Sequence, residues 1–143
     1  LGDGRSFTLL EFPWKKEQYP ADAPHLVSWL KRQGMTPIVA HPERQSFFEE
    51  KPKRLRALIA AGARLQVTVD SLLGNHGPAP QLFGEKLLRS YSEAVIATDA
   101  HNLRRCSGLS AGYAWVRERL GLQRADQLRD RADLILSALV DLT

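Results

Sequence analysis

Cysteine is nearly absent. Cys106 stands alone among 143 residues, so no disulfide can form within the chain, and such usage suits a reducing, cytoplasmic setting. Long apolar runs are missing too: no stretch approaches the ~20 residues a membrane-spanning helix needs. The opening Leu1-Gly2-Asp3-Gly4-Arg5 has neither an initiator methionine nor the charged-then-apolar pattern of a secretion signal. No low-complexity segment or Gly/Ser linker occurs. A dominant charge is lacking as well, since 20 Lys and Arg oppose 16 Asp and Glu for a formal net charge of +4. That excess favours anionic substrates but is too small and dispersed to indicate a nucleic-acid partner. Its densest knot, Lys51, Lys53, Arg54 and Arg56, is interleaved with Leu55, Leu58 and Ile59 at helical spacing and reads as the solvated face of a helix.

What the chain does contain is enough apolar material, 43% with three tryptophans, to bury one core and form one domain. Apolar runs at residues 6–12, 36–40, 64–69 and 94–98 read as strands. Between them, 24–33 reads as a helix with Leu26, Val27, Trp29 and Leu30 inward and Gly34 as its stop. Residues 15–20 form a polar connection, 46–51 a loop or short turn, and 52–61 a helix closed by Gly62. After Gly74, Gly77, Pro78 and Pro80 break the chain, a helix over about 81–91 carries Leu82, Phe83, Leu87 and Leu88. Two helices finish the chain. One has the stripe Leu109, Tyr113, Val116 and Leu120 and ends at Gly121; the other has Leu128, Ala132, Ile135, Leu139 and Leu142.

The chemistry gathers where the strands stop. Glu11, His41, Asp70 and Asp99 each follow a strand, at separations of 30, 29 and 29 residues, the length of one βα unit. Parallel strands joined by helices put their C-terminal ends on one edge, so all four residues are expected to face one crevice. Glu11, His41, Asp99 and His101 offer two carboxylates and two imidazoles, a mixture that suits Mn²⁺, Fe²⁺ or Zn²⁺ better than Ca²⁺. Metals there would acidify water and hold hydroxide in line with an ester. Arg44 and the Arg104-Arg105 pair, on the same edge, could neutralise phosphoryl oxygens. Four βα units are about half of a closed barrel of ~250 residues. With the abrupt start at Leu1, that count leads us to expect a domain truncated at its N-terminus, with an open sheet as the alternative.

Ala40-His41-Pro42-Glu43-Arg44 and Ala97-Thr98-Asp99-Ala100-His101-Asn102 together resemble the PHP (polymerase and histidinol phosphatase) superfamily. Within it, the likeness is to the metal-dependent tyrosine phosphatases of bacterial capsule and exopolysaccharide operons. Leu9-Leu10-Glu11-Phe12-Pro13, residues 62–68 and Ser71-Leu72-Leu73-Gly74 also resemble that branch, and the likeness runs over roughly residues 1 to 116. The resemblance implies a partial PHP-type (β/α) barrel of about four parallel βα units plus C-terminal helices. It also implies a metal cluster, often manganese, that hydrolyses phosphotyrosine on a polysaccharide-assembly kinase. By position, Glu11 would be the carboxylate shared between metals, His41 a ligand, Asp99 and His101 the closing pair, and Arg44 the phosphate grip. The family's opening His-x-His motif and a further histidine have no counterpart here, which leaves the cluster short of ligands. The family's second phosphate arginine falls where this chain has Cys106; Arg105 is the nearest substitute and Arg104 the next.

Other residues receive plainer readings. Asp70 reads as a cap for the helical segment after it, His76 as part of a surface turn, with reach to a substrate as the other reading, and His25 as an exposed residue opening a helix. Gln66 either bonds neighbouring ligands or fills the interior. A cysteine nucleophile would need an arginine six residues on, and that position after Cys106 is Gly112, so that route is rejected. Two alternatives remain to the phosphotyrosine reading. One is a PHP phosphoesterase acting on a small ester such as histidinol phosphate; the other is a non-catalytic remnant without a full metal cluster. An open sheet edge is further expected to favour self-association or a companion segment.

Overall fold

The computed structural model describes residues 6–100 and 108–140. Four strands, β1 (Ser6–Leu10), β2 (Met35–Ala40), β3 (Arg64–Thr68) and β4 (Ala94–Ala97), form one sheet in the order β1-β2-β3-β4. Every neighbouring pair is parallel. Each strand lies beside the next in sequence, as in an arc of a β/α barrel; a doubly wound sheet would reverse its order partway. The register pairs Leu10 with Val39, Ala40 with Gln66 and Thr68 with Ala97, so the strands end nearly level and the residues after them emerge on one rim.

Helices α1 (Ala23–Arg32), α2 (Ser46–Glu50), α3 (Pro52–Ala60), α4 (Val69–Leu72), α5 (Pro78–Ser90), α6 (Leu109–Leu120) and α7 (Leu122–Val140) connect and cover the sheet. Single 3₁₀ turns occupy Lys16–Gln18 and Pro42–Arg44. Val39, Leu65, Val67, Ala94 and Ile96 from the strands meet Val27, Leu58, Leu88, Val116 and Leu128 from the helices in one apolar cluster. α7 packs against both β4 and β1. Among the described residues no helix is long and apolar enough to cross a membrane.

Several expected boundaries move for identifiable reasons. Residues 46–50 are helical, not a loop, because Phe47 and Phe48 are fully buried there, with ring centroids 4.6 Å apart and Tyr19 packed beside them. α5 starts three residues earlier than expected: a proline in the first helical turn has no intrahelical amide bond to lose and its φ is preset for helix. The strand expected over 64–69 stops at Thr68, and Val69 opens α4. On α1, Ala23, Val27 and Leu30 form the buried stripe, whereas Leu26 and Trp29 are 46% and 48% exposed, contrary to their expected inward placement. Those two sit beside the stripe, outside the face that α1 turns to β2. Leu82 and Leu109 are likewise exposed, and Leu142 lies outside the described residues.

Candidate active site

A cleft of about 230 Å³ opens at the C-terminal rim of the sheet, and Glu11, His41, Asp70 and Asp99, one from beyond each strand, all line it. His41 leaves β2 in the left-handed region, φ 34°, and Asp99 follows β4 at φ 53°. Such backbone is uncommon for side chains with a Cβ and marks places where the chain turns sharply to aim a residue. The His41 ring is 3% exposed, and its Nε2 lies 3.2 Å from Glu11 Oε1.

The 3₁₀ turn over Pro42–Arg44 divides two charged neighbours. Three residues per turn set consecutive side chains about 120° apart, so Glu43 enters the protein while Arg44 enters the cleft. Arg44 donates from a terminal guanidinium nitrogen to Asp99 Oδ2 at 3.2 Å, which ties the β2 end to the β4 end. Glu43 is 4% exposed. Its Oε1 accepts from the Thr68 amide at 3.0 Å and from the Ser71 hydroxyl at 2.7 Å, while Oε2 is buried without a partner among the described residues. Burial pushes its carboxyl up to about 7, against the bonds from Ser71 and Thr68 that favour the charged form. Gln45 completes the brace by donating from Nε2 to the Phe12 carbonyl at 3.1 Å, fixing the chain beyond β1 to the chain beyond β2.

One expectation needs correction. Asp70 is not a helix cap: Thr68 holds the N-cap position of α4, and Asp70 lies in the first turn, accepts from Asn75 Nδ2 at 2.9 Å and lines the cleft. His76 does occupy an exposed turn, but it also lines the cleft. Its Nδ1 stands 3.1 Å from Ser71 Oγ, so Glu43, Ser71 and His76 form a hydrogen-bonded line from the core to the cleft. Burial, then the positive charge of Arg44, lowers the His76 pKa. Gln66 is buried within β3, and His25 is exposed on α1. His101, Arg104, Arg105 and Cys106 lie outside the described residues.

Sequence reasoning missed Glu43, Gln45 and Trp14. For Glu43 the only available signal was its place inside the His41–Arg44 motif, since nothing in neighbouring residue types tells which charged side chain of a 3₁₀ turn goes inward. Trp14 carried no periodic pattern, yet its ring stacks on His41.

The donor chemistry fits a divalent ion in part. Ligand bonds of ~2.1 Å to a carboxylate oxygen and an imidazole nitrogen, set near a right angle, place the two atoms about 3 Å apart, close to the Glu11–His41 separation of 3.2 Å. His41 Nδ1 is buried without a partner among the described residues, a costly condition for a ring nitrogen. Among the described residues, no group of three or more His, Cys, Asp or Glu side chains stands close enough to share an ion. The described part of the site therefore offers a pair of donors, with Asp99 held nearby by Arg44.

Comparison with known proteins bears on this geometry. The family model described as capsular polysaccharide synthesis, CpsB/CapC, matches residues 3–136. The tyrosine-protein phosphatase YwqE of Bacillus subtilis is 31% identical over 131 residues, covering 91% of this chain and 51% of that protein. The tyrosine-protein phosphatase CpsB of Streptococcus pneumoniae is 32% identical over 106 residues, 66% of this chain and 42% of that one. A chain from the crystal structures of these two proteins, described as unique metal-dependent tyrosine phosphatases, superposes with a TM-score of 0.85 at 30% identity. The match covers 92% of this chain and 53% of that one. The chain thus spans about half the length of the curated relatives it matches.

Proposed function

On the premise that the chain belongs to the CpsB/CapC family of capsular polysaccharide synthesis, we propose that its cleft serves metal-dependent hydrolysis of phosphotyrosine on proteins, in the regulation of capsule or exopolysaccharide production. The observation that carries this reading is the convergence of Glu11, His41, Asp70 and Asp99 with Arg44 on a single cleft at the strand ends. Glu11, His41 and Asp99, with His101, would hold the ion. Mn²⁺ suits their mixed nitrogen and oxygen donors, with Fe²⁺ or Zn²⁺ as alternatives. When bound, such an ion supplies Lewis acidity and acidified water at neutral pH.

The chain's own residues do the rest. Arg44, poised on Asp99, presents donors to a phosphoryl group and neutralises charge on its oxygens as the ester breaks. Arg105, or Arg104 in its place, is assigned a second grip on the same group. Glu43 holds the Pro42–Arg44 turn against β3 and α4, which fixes the direction from which Arg44 approaches. In this reading residues 1–143 act as one domain, the protein is cytoplasmic, and the substrate is a phosphotyrosyl protein such as a polysaccharide-assembly tyrosine kinase. The edge of β1 that no strand pairs among the described residues also disposes the chain to pair with a second copy.

Hydrolysis of p-nitrophenyl phosphate with and without Mn²⁺, in the parent protein and in His41→Ala and Asp99→Ala, tests the reading. Activity should require the metal and fall by roughly 100-fold or more in each variant. Activity indifferent to both metal and substitutions would overturn it. Preference for histidinol phosphate over a phosphotyrosyl peptide would move the assignment to a small-ester phosphatase.

A further inference from the structure

Trp14 lies on the connection after β1 with 56% of its surface exposed. It is nonetheless held in one orientation. Its ring stacks on the His41 imidazole, centroids 5.3 Å apart and planes inclined by 4°, and the Arg44 guanidinium carbon lies 4.9 Å from its centroid. Both partners belong to the cleft, so Trp14 is part of the cleft wall. Every other described residue lining that wall is polar or charged. Any recognition of an apolar substrate group within the described cleft therefore falls to this indole.

We propose that Trp14 is the specificity-determining residue of the cleft: its open indole surface receives the aromatic ring of an aryl phosphate whose phosphoryl group is held by Arg44. The inference rests on the phosphatase reading above and deepens it. In an aryl phosphate a single ester oxygen joins phosphorus to the ring. A phosphoryl group hydrogen-bonded to Arg44 thus brings the ring close to an indole only 4.9 Å from that guanidinium. Offset or edge-to-face pairing of two rings at 4.5–7 Å adds attraction beyond buried area. An alkyl phosphate brings a flexible chain to the same place, with no ring face to pair and more rotamer freedom to lose. The indole thereby favours phosphotyrosine over phosphoserine without any contact to the phosphoryl group.

Titration calorimetry with inorganic phosphate, ethylphosphonate and phenylphosphonate, in the presence of Mn²⁺, tests this on the full chain, a P–C bond standing in for the ester so that nothing is hydrolysed during the titration. The parent should bind phenylphosphonate more tightly than ethylphosphonate. Trp14→Ala should weaken phenylphosphonate roughly five- to tenfold and leave inorganic phosphate within about twofold, while Trp14→Phe keeps most of the preference. Trp14→Leu retains bulk without a ring face and carries the same expectation as the alanine variant, should that variant lose its folded circular dichroism. Equal weakening of all three ligands would mean that Trp14 merely props His41 and Arg44, and would overturn the proposal, as would a phenyl preference that survives Trp14→Ala and Trp14→Leu. Failure of the parent to bind inorganic phosphate would overturn the phosphate reading of the cleft and this inference with it. Phosphate binding with an unaltered phenyl preference overturns this inference alone.

Discussion

At Glu43 the protein keeps a carboxyl group almost wholly out of water, with one oxygen satisfied by Thr68 and Ser71 and the other without a partner among the described residues. The consequence for stability follows from the direction of the shift. The folded-state pKa, about 7, stands above the ordinary 4.5, so the folded protein retains this proton where the unfolded chain has lost it. The contribution is complete below about 4.5 and is withdrawn as pH rises towards about 7. Chemical denaturation of metal-free protein across that interval should show stability falling by at most about 1.4 kcal/mol per pH unit from this group. Glu43→Gln, which cannot titrate, should flatten the slope; an unchanged slope would reject the assignment. The same residue marks a boundary of what sequence reading reaches. Spacing was sufficient to bring Glu11, His41, Asp70 and Asp99 to one cleft, because parallel βα units place strand ends together whatever their side chains. The inward turn of Glu43 beside the outward turn of Arg44 depends on the phase of a 3₁₀ turn, which residue types do not encode.

Among the elements, α4 has four residues, too few to persist without neighbours, yet it carries Asp70 to the cleft and Ser71 to the Glu43 carboxylate. One support is α6, which approaches through Gly112: a Cβ there would stand 2.5 Å from Val69 Cγ2. Two effects oppose each other in Gly112→Ala. Helix propensity would gain up to about 1 kcal/mol, whereas forcing a methyl group against the fully buried Val69 costs about 1–3 kcal/mol. The clash should win, lowering thermal stability, and Val69→Ala should relieve it in the double variant. A single Gly112→Ala protein more stable than its parent would contradict this packing. Elements with a clear period, such as β2, α3 and β3, were legible from their apolar spacing. α2 was not, because a five-residue helix offers too short a pattern, and its Phe47-Phe48 pair is buried by tertiary contact with Tyr19 and Phe12. The apolar Leu26 and Trp29 misled for the converse reason: helical spacing identifies a wide stripe, while α1 buries only the narrower line of Ala23, Val27 and Leu30.

For the molecule as a whole, β1 is an edge of the sheet among the described residues, and Leu9 on it is 57% exposed. Exposed apolar edges tend to pair with another chain. Sedimentation should therefore show concentration-dependent self-association, and Leu9→Lys should shift the equilibrium towards monomer; a parent that stays monomeric at all concentrations would exclude it. The opposite boundary of the sheet, its C-terminal rim, carries a different tension. His41 and Asp99 both sit at positive φ, a conformation glycine adopts with ease and a bulky side chain resists by roughly 1–2 kcal/mol. Left to drift towards greater robustness, those two positions would lose the imidazole and the carboxylate first. Durability and usefulness are rivals there, and a chain that places both groups in such backbone holds this rim poised for work at some expense to its endurance.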